Sequence, residues 1–417
     1  MLILVALIPL QNIYLGKIPA LGAGLNFVNL MVIAAFILWK SNQERSIPSS
    51  TTLHYPVYLF MGIYVVSALN GIYSLEELPK GYFSSLKDVL LPMLIFFIVL
   101  NSVRDRRGIV AVVIATLLPL AYMFRVFYAQ FSSVYSWHYS DNMRFVNGTF
   151  MRLGSNELAA FYAAYTFLVI LLVLYIKPLR YRIPLGVLAL LNLYSLMYSQ
   201  SRGAWLAFLA AVFVVLYKTG KFRVLLVAMI LSVSAPMIVS MFPVSVQERF
   251  ESIFAEEEER DSSANSRFII WENALEQYRH SPLLGVGYRV FSKLNQYQNK
   301  DAHNYYLKLL VEQGPAGLLL FILILWRSYK SSNELWQKAT EPVFKALGLG
   351  VLATVVALAV ANMFGDRFSH YPLITYFWVY LALVLRALAI LEREQQETPA
   401  ASVQARSQDV WRMFRPG

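Results

Sequence analysis

The chain has 417 residues, of which 58% are hydrophobic and only 15% are charged. Because soluble domains carry about 25% charged and roughly 45–50% apolar residues, this composition excludes an ordinary soluble enzyme and indicates a polytopic membrane protein. The formal net charge of +11 would suggest a nucleic-acid partner in a soluble protein, but in a membrane protein it bears first on orientation, and we expect no nucleic acid.

Apolar runs bounded by charges and turn residues predict about twelve membrane spans. In chain order they cover residues 2–14, 24–40, 55–73, 87–103, 108–127, 155–176, 182–199, 204–218, 222–242, 314–328, 341–364 and 371–390. The first run lacks a basic leader and a small-residue cleavage site, so we interpret it as a retained helix and not as a signal peptide. The expected fold class is therefore all-α, a polytopic helical bundle in the lipid bilayer.

The segments between the spans divide the chain into six parts. These are five N-terminal helices (1–127), a polar loop (128–154), helices six to nine (155–242), a large polar loop (243–313), helices ten to twelve (314–391) and a tail (392–417). In the large loop, residues 265–280 predict an amphipathic helix, and a second amphipathic stretch covers 303–313. The tail is expected to be disordered or to lie on the anionic inner leaflet.

The basic residues of the short loops predict the orientation. An even number of spans puts both termini on one side, where the short loops hold fourteen Lys and Arg residues against six on the other side. The positive-inside rule then places both termini in the cytoplasm and both long loops outside. The fourteen are Lys40, Arg45, Arg104, Arg106, Arg107, Lys177, Arg180, Arg182, Lys218, Lys221, Arg223, Arg327, Lys330 and Lys338. The six are Lys17, Lys80, Arg144, Arg152, Arg202 and Arg367.

Two patterns in the large loop resemble cofactor motifs but predict none. Four consecutive glutamates, 256–259, are more typical of a solvated loop than of a metal site, which needs convergent ligands. Gly285-Val286-Gly287 is not a dinucleotide fingerprint, because Val290 stands where the third glycine would be and no parallel sheet surrounds it. The chain has no cysteine, which excludes thiolate metal sites and thiol nucleophiles. We therefore expect no metal and no cofactor.

Arginines gather on the predicted outer face, where topology disfavours positive charge. Arg202 lies in a very short loop between two apolar helices, and two interpretations stay open for it. In the first, the guanidinium only extends to the membrane surface. In the second, it binds phosphate oxygens bidentately. A diphosphate has several such oxygens, so two or three arginines would be expected to bind it together. The outer arginines are Arg125, Arg144, Arg152, Arg202, Arg267, Arg289 and Arg367.

His303 differs from the other histidines in its context. The residues Asp301-Ala302-His303-Asn304 open the second amphipathic stretch at the predicted membrane surface. A histidine on a loop is usually structural or solvated, but an imidazole with a pKa near 6.5 can also accept a hydroxyl proton at neutral pH. Asp301 is close enough in sequence to orient the ring.

A series of motifs over roughly residues 150–365 resembles the O-antigen ligase and polymerase family. The motifs are Arg152–Ala159 (RLGSNELA), Ser199–Trp205 (SQSRGAW), Ser266–Trp271 (SRFIIW), Pro282–Gly287 (PLLGVG), Ala302–Leu307 (AHNYYL) and Glu312–Gly314 (EQG). The ordered series is far more specific than any single piece. The N-terminal third of the chain matches in hydropathy alone.

The resemblance implies a GT-C-like, metal-independent, inverting glycosyltransferase at the periplasmic face of the bacterial inner membrane. Such proteins transfer a glycan from undecaprenyl diphosphate to an acceptor sugar, which for the ligases belongs to the lipid A core. By position in the motifs, Arg202 and Arg267 correspond to the family's essential arginines and His303 to its essential histidine. Further candidates for binding the diphosphate or glycan are Arg152, Arg289, Arg125 and Asn304.

Several alternatives stay open at the level of sequence. A polymerase would use the same donor with a second lipid-linked repeat as acceptor; we favour the ligase for its span layout and its late large loop. A protein O-oligosaccharyltransferase is a further possibility. A coupled transporter is disfavoured because the ionisable residues found in the predicted spans, Asp88, Arg125 and Glu157, lie at outer ends and not at mid-membrane.

Overall fold

Helices form all the regular secondary structure in the described part of the chain. The computed structural model describes residues 1–10, 27–41, 53–150, 153–221, 243–251, 262–295 and 301–413, and no strand occurs among them. The expectation of an all-α protein is therefore confirmed for these residues.

The helix bounds follow the predicted spans closely. The α-helices are α1 (Leu2–Leu7), α2 (Phe27–Ser41), α3 (His54–Ser74), α4 (Tyr82–Ser102), α5 (Arg106–Val134), α6 (Ser155–Tyr175), α7 (Leu179–Tyr198), α8 (Arg202–Lys218), α9 (Val244–Glu251), α10 (Ser262–His280), α11 (Phe291–Leu294), α12 (Tyr305–Lys338), α13 (Pro342–Ala361) and α14 (Tyr371–Met413). Two 3-10 turns cover Ile8–Leu10 and Asp141–Phe145.

Seven of the described helices are long and apolar enough to cross a membrane. They are α3, α4, α5, α6, α12, α13 and the part of α14 from Tyr371 to Gln396. Two other helices that were predicted as spans are not among the seven. The helix α8 has 17 residues, and α7 carries Arg180 and Arg182 in its first turn. The predicted span 222–242 lies outside the described residues. A multi-pass membrane protein is thus supported, and the count of about twelve spans stays a prediction.

The long helices run between two ends of the bundle. At one end, named here the His303 end, the first turn of α6 meets the turn between α13 and α14 through an ion pair of Glu157 and Arg367. At the opposite end, named the Arg106 end, the first residue of α5 pairs with Glu341 before α13 and with Glu394 on α14. The helices α4, α6, α8, α12 and α14 therefore begin at the His303 end.

The most buried helices are α6, α13 and α14, and small residues allow them to approach closely. A methyl group at Gly350 of α13 would lie 3.0 Å from the Cα of Leu168 on α6, and one at Gly348 would lie 2.5 Å from the backbone nitrogen of Trp336 on α12. Thr354 Oγ1 donates to the carbonyl of Ala164 at 2.8 Å. Close packing of this kind holds helices together where lipid removes the hydrophobic driving force.

The helix α12 joins the second amphipathic stretch to the following span through a kink. Gly314 has a φ of +69° inside the helix and is followed by Pro315. The helix begins at Tyr305, nine residues before the kink. Residues 305–313 pack against the rest of the protein instead of lying at its surface, since Lys308 and Glu312 are buried. The sequence places these two residues outside the predicted spans and gives no indication of their burial.

The segment Gly285-Val286-Gly287-Tyr288 packs between α3 and α12. The backbone nitrogen of Val286 donates to Val311 of α12 at 2.8 Å, and that of Tyr288 donates to Ser67 of α3 at 2.8 Å. Gly287 has a φ of +109°, and a methyl group there would lie 2.6 Å from the backbone nitrogen of Gly71. The glycines of this motif therefore serve close backbone packing.

The C-terminal tail continues α14 as a helix. This helix runs from Tyr371 to Met413, so residues 392–413 are helical and not disordered, while a position on the inner leaflet stays a prediction. At the Arg106 end, Arg386 Nε of the same helix donates to the carbonyl of Leu100 at 2.9 Å. This bond and the Arg106–Glu394 pair fix the middle of α14 against α4 and α5.

Candidate active site

His303 stands in a strained turn that is held on both sides. Its φ is +50°, in the left-handed region that side chains other than glycine rarely adopt. Before it, Trp271 Nε1 of α10 donates to the carbonyl of Ala302 at 2.9 Å. After it, the Asn304 side chain caps α12 and accepts hydrogen bonds from the backbone nitrogens of Tyr306 and Leu307. The neighbouring residues thus fix the backbone from which the imidazole projects.

The surroundings of His303 keep its imidazole neutral. The imidazole is exposed to solvent, but the protein around it removes part of its hydration, and this desolvation together with the positive charges of Arg267 and Arg367 lowers its pKa from the ordinary value of 6.5. The carboxylates of Asp301 and Glu157 oppose this effect without reversing it. A neutral imidazole at neutral pH has a lone pair that can accept a proton. Arg267 therefore lies near enough to His303 for its charge to act on the imidazole.

Asp301 is engaged with Lys308 and with its own turn. Its Oδ1 accepts from the backbone nitrogen of Ala302 at 2.9 Å, and its Oδ2 lies 2.5 Å from Lys308 Nζ. The sequence suggests that Asp301 orients the His303 ring. In the structure its oxygens bind Ala302 and Lys308, and it acts on His303 through its charge. Lys308 Nζ also binds Asp366 Oδ2 at 2.7 Å. Burial by itself would raise the pKa of Asp366, but the charge of Lys308 outweighs this and holds that pKa below its usual value.

Arg367 and Glu157 add a second ion pair at the same end of the bundle. Arg367 Nη1 lies 2.6 Å from Glu157 Oε1, and only 5% of the Arg367 side chain is exposed. The backbone nitrogen of Arg367 donates to Asn362 Oδ1 at 3.0 Å, and His370 Nε2 lies 3.9 Å from the same oxygen of Glu157. The sequence shows Glu157 and Arg367 as separate charges and does not predict that they pair. The one feature that they have in common in the sequence is a position at the end of an apolar run.

Arg202 begins α8 at the His303 end. The three residues before it, Ser199 to Ser201, are buried, and Gln200 has a φ of +57°. A methyl group at Gly203 would lie 2.9 Å from Phe364 Cβ, which places the start of α8 beside the turn that carries Arg367. Arg202 therefore lies near the turn between α13 and α14.

The remaining candidate residues have different surroundings. Arg289, with a φ of +56°, donates from Nη1 to Ser85 Oγ of α4 at 2.8 Å. Arg125 is exposed on α5, and the rings of its neighbours Phe124 and Tyr128 pack on Tyr194 of α7. Asn304 serves as the cap of α12, a structural role beside the one expected in binding. Arg152 and the glutamates 256–259 lie outside the described residues.

The carboxylates of the site do not form a metal site. Among the described residues, no group of three or more His, Asp or Glu side chains is arranged to hold a metal ion. Asp301 and Asp366 instead share the Lys308 ammonium. Metal-independent chemistry stays a prediction of the family resemblance.

Comparison with known proteins supports the resemblance. The model of a family described as O-antigen ligase matches residues 185–322, about one third of the chain. The matched region contains Arg202, Arg267, Arg289, His303 and Asn304. An uncharacterized protein of Haemophilus influenzae is 23% identical over 149 residues, which cover 30% of this chain. The match spans 37% of that relative's length.

The family match confirms that this chain resembles the O-antigen ligase and polymerase family. Together with the apolar helices, it supports a multi-pass membrane protein with an O-antigen ligase- or polymerase-type function. The family is associated with glycosyltransferase-like activity on lipid-linked glycans.

Proposed function

We propose that this protein is an O-antigen ligase-like glycosyltransferase. It transfers a glycan from undecaprenyl diphosphate onto a lipid A-core acceptor, with inversion and without a metal ion, in lipopolysaccharide biosynthesis. In this proposal the His303 end faces the periplasm, the Arg106 end faces the cytoplasm, and both termini are cytoplasmic in the inner membrane. The observation that carries the proposal is that the Arg267 charge acts on the imidazole of His303 and lowers its pKa, both residues lying within the matched region.

The proposed reaction assigns the proton to His303. The imidazole accepts the proton of the acceptor hydroxyl while the hydroxyl oxygen attacks the anomeric carbon of the glycan. The bond from that carbon to the diphosphate oxygen breaks, and its electron pair leaves with the diphosphate. Attack from the face opposite the leaving group inverts the anomeric centre. The lowered pKa of His303 supports this role, because a base must be unprotonated before it can act.

Arg202 and Arg267 are proposed to bind the diphosphate and stabilise it as leaving group. The charge that develops on the departing oxygen is met by guanidinium groups that are already in place, as in other oxyanion sites. Arg289, Arg125 and Arg152 are proposed as further contacts to the donor. The lipid chain of such a donor would reach a site at the membrane surface sideways between helices, without a separate soluble domain.

The experiment that tests the proposal is glycan transfer by the purified protein. Undecaprenyl diphosphate-linked glycan is incubated with lipid A-core or with a second lipid-linked repeat, and the product is identified as a conjugate or as a longer lipid-linked chain. The first product supports the ligase, and the second supports the polymerase alternative. Acceptance of a peptide hydroxyl instead would support a protein O-oligosaccharyltransferase.

Single substitutions test the assigned roles. His303→Ala and Arg202→Ala are each expected to abolish transfer, with a loss of at least 10²–10³ in rate for an arginine contact to the leaving group. Arg279→Ala and His280→Ala are matched controls, since both side chains are exposed on the last turn of α10. Near-normal transfer by a folded His303 or Arg202 variant would remove that residue from the mechanism.

A further inference from the structure

Lys308 is a buried ammonium that joins two turns of the site. Only 8% of its side chain is exposed, and its Nζ lies 2.5 Å from Asp301 Oδ2 and 2.7 Å from Asp366 Oδ2. Neither carboxylate comes from its own helix: Asp301 precedes α12, and Asp366 lies between α13 and α14. One amine therefore binds two segments that are 65 residues apart in the chain.

Each of these carboxylates is next to a charged group of the site. Asp301 is two residues before His303, and Asp366 immediately precedes Arg367. The same two turns share a backbone bond, from the nitrogen of Tyr305 to the carbonyl of Asn362 at 2.9 Å. Arg367 is in turn fixed to α6 by Glu157. The position of the imidazole relative to the Arg367–Glu157 pair thus depends on contacts that meet at Lys308.

We propose that Lys308 is a positioning residue, which sets the place of His303 by holding the Asp301 and Asp366 turns on one ammonium. This inference rests on the proposed function, in which His303 is the base. The Lys308 ammonium binds the two carboxylates, so the lysine acts on His303 through the two turns and not through the substrate. A strained φ at His303 makes such a clamp necessary, because a free turn would relax to a more favourable backbone.

The chemistry of lysine suits this position. A buried ammonium has to be compensated, and two carboxylates supply more negative charge than one lysine neutralises. Glu312, one helical turn further along α12, is also buried, and its Oε1 has no hydrogen-bond partner among the described atoms. Lys308 is therefore the centre of a polar cluster inside an apolar bundle. Without its charge, the carboxylates of Asp301 and Asp366 would lose the group that holds them together.

A purely structural role for Lys308 makes a different prediction from a positioning role. The charged groups that face His303 are Arg267 on α10, Asp301 in its own turn, Arg367 in the turn after α13 and Glu157 on α6. If the turns stay in place, removing the Asp301 charge lowers the His303 pKa further, because that charge raises it. If the turns separate, His303 moves away from the two arginines and regains hydration, and its pKa rises towards 6.5.

The test uses a variant in which all three charges are removed together. Lys308→Met/Asp301→Asn/Asp366→Asn removes the ammonium together with the two carboxylates bound to it, so it is expected to fold better than Lys308→Met alone. The His303 pKa is measured in detergent-solubilised, full-length protein by NMR of labelled histidine, with His303→Gln to assign its signal among five histidines. Transfer rate and melting temperature are measured on the same samples.

The positioning role predicts that the His303 pKa rises in the triple variant and that transfer slows about 10²-fold, the usual result of moving a catalytic group by about 1 Å. A lower pKa with near-normal transfer would show that Lys308 only neutralises its neighbours, and would overturn the proposal. The NMR measurement needs no substrate. If the unsubstituted protein transfers glycan to neither acceptor, the proposed function fails while the role of Lys308 is still decided.

Lys308→Arg provides the second test, which also applies if the triple variant does not fold. The guanidinium keeps the charge and can pair with both carboxylates, but its longer, planar fork changes the distance between them. We expect transfer to fall more than tenfold at an unchanged melting temperature. An unchanged transfer rate in Lys308→Arg would contradict a positioning role.

Discussion

The Glu157–Arg367 ion pair offers a test of how the His303 end is held together. Arg367 is only 5% exposed and Glu157 17%, and their atoms lie 2.6 Å apart. Replacing Glu157 with Gln leaves a guanidinium buried without its counter-ion. Breaking a buried pair on one side costs about 3–5 kcal/mol, and the residual exposure of Glu157 puts the expected loss near the lower limit, about 3 kcal/mol. The double variant Glu157→Gln/Arg367→Met removes both charges and is expected to recover most of this loss.

The assay is thermal unfolding of the purified protein in one detergent, with the single and double variants side by side. Glu334→Gln is the matched control, since the Glu334–Lys338 pair lies on the surface of α12 with side chains 45% and 39% exposed. An exposed pair at this spacing contributes at most about 0.5 kcal/mol. If Glu157→Gln melts at the same temperature as Glu334→Gln, or if the double variant is no more stable than the single one, the reasoning from burial is refuted.

Three further predictions concern the turns around the site. Gly287→Ala is expected to destabilise the protein by about 2–5 kcal/mol in thermal unfolding, because the added methyl group meets the Gly71 backbone at a positive φ; Gly62→Ala, at an open position, should cost little. Asn304→Ala removes the α12 cap and should lower unfolding stability by about 1 kcal/mol, whereas Asn304→Asp should retain most of it. The transfer rate of the unsubstituted protein should fall when the pH drops through a value below 6.5. In Arg267→Gln, whose transfer is expected to be lost, NMR of labelled histidine should show a raised His303 pKa, since the Arg267 charge lowers that pKa. An unchanged His303 pKa in Arg267→Gln would contradict the proximity of the two groups.

Hydropathy predicted the helices of this protein well because length and apolar composition decide what can cross a membrane. The predicted run 155–176 corresponds to Ser155–Tyr175, and 341–364 corresponds to Pro342–Ala361. The bounds of α12 differ more, from a predicted 314–328 to Tyr305–Lys338. Two helical segments meet there at the Gly314 kink, so the predicted start of the span coincides with the break, and the predicted end at 328 falls ten residues short of Lys338.

The candidate site was only partly predictable. Motif order singled out Arg202, Arg267 and His303; the Arg267 charge acts on His303, and Arg202 lies near the turn that carries Arg367. The partners of these residues were not predicted: Glu157 and Arg367 are 210 positions apart, and Lys308 belongs to a stretch that appears amphipathic. A charge in such a stretch usually faces water. Burial of Lys308 follows from the packing of α12 between two turns, which no local pattern encodes.

The position of Arg202 bears on the two interpretations that its sequence leaves open. Arg202 is the first residue of α8, where the aligned peptide dipoles carry positive charge and disfavour a cation by about 0.3–1 kcal/mol. A residue selected only to snorkel would suit the opposite end of a helix, as Lys218 does at the end of α8. At the first turn, the guanidinium and the backbone nitrogens instead add their fields, which is the arrangement that anions bind. This position agrees with the proposed role of Arg202, in which the guanidinium and the first backbone nitrogens of α8 would bind the same anion.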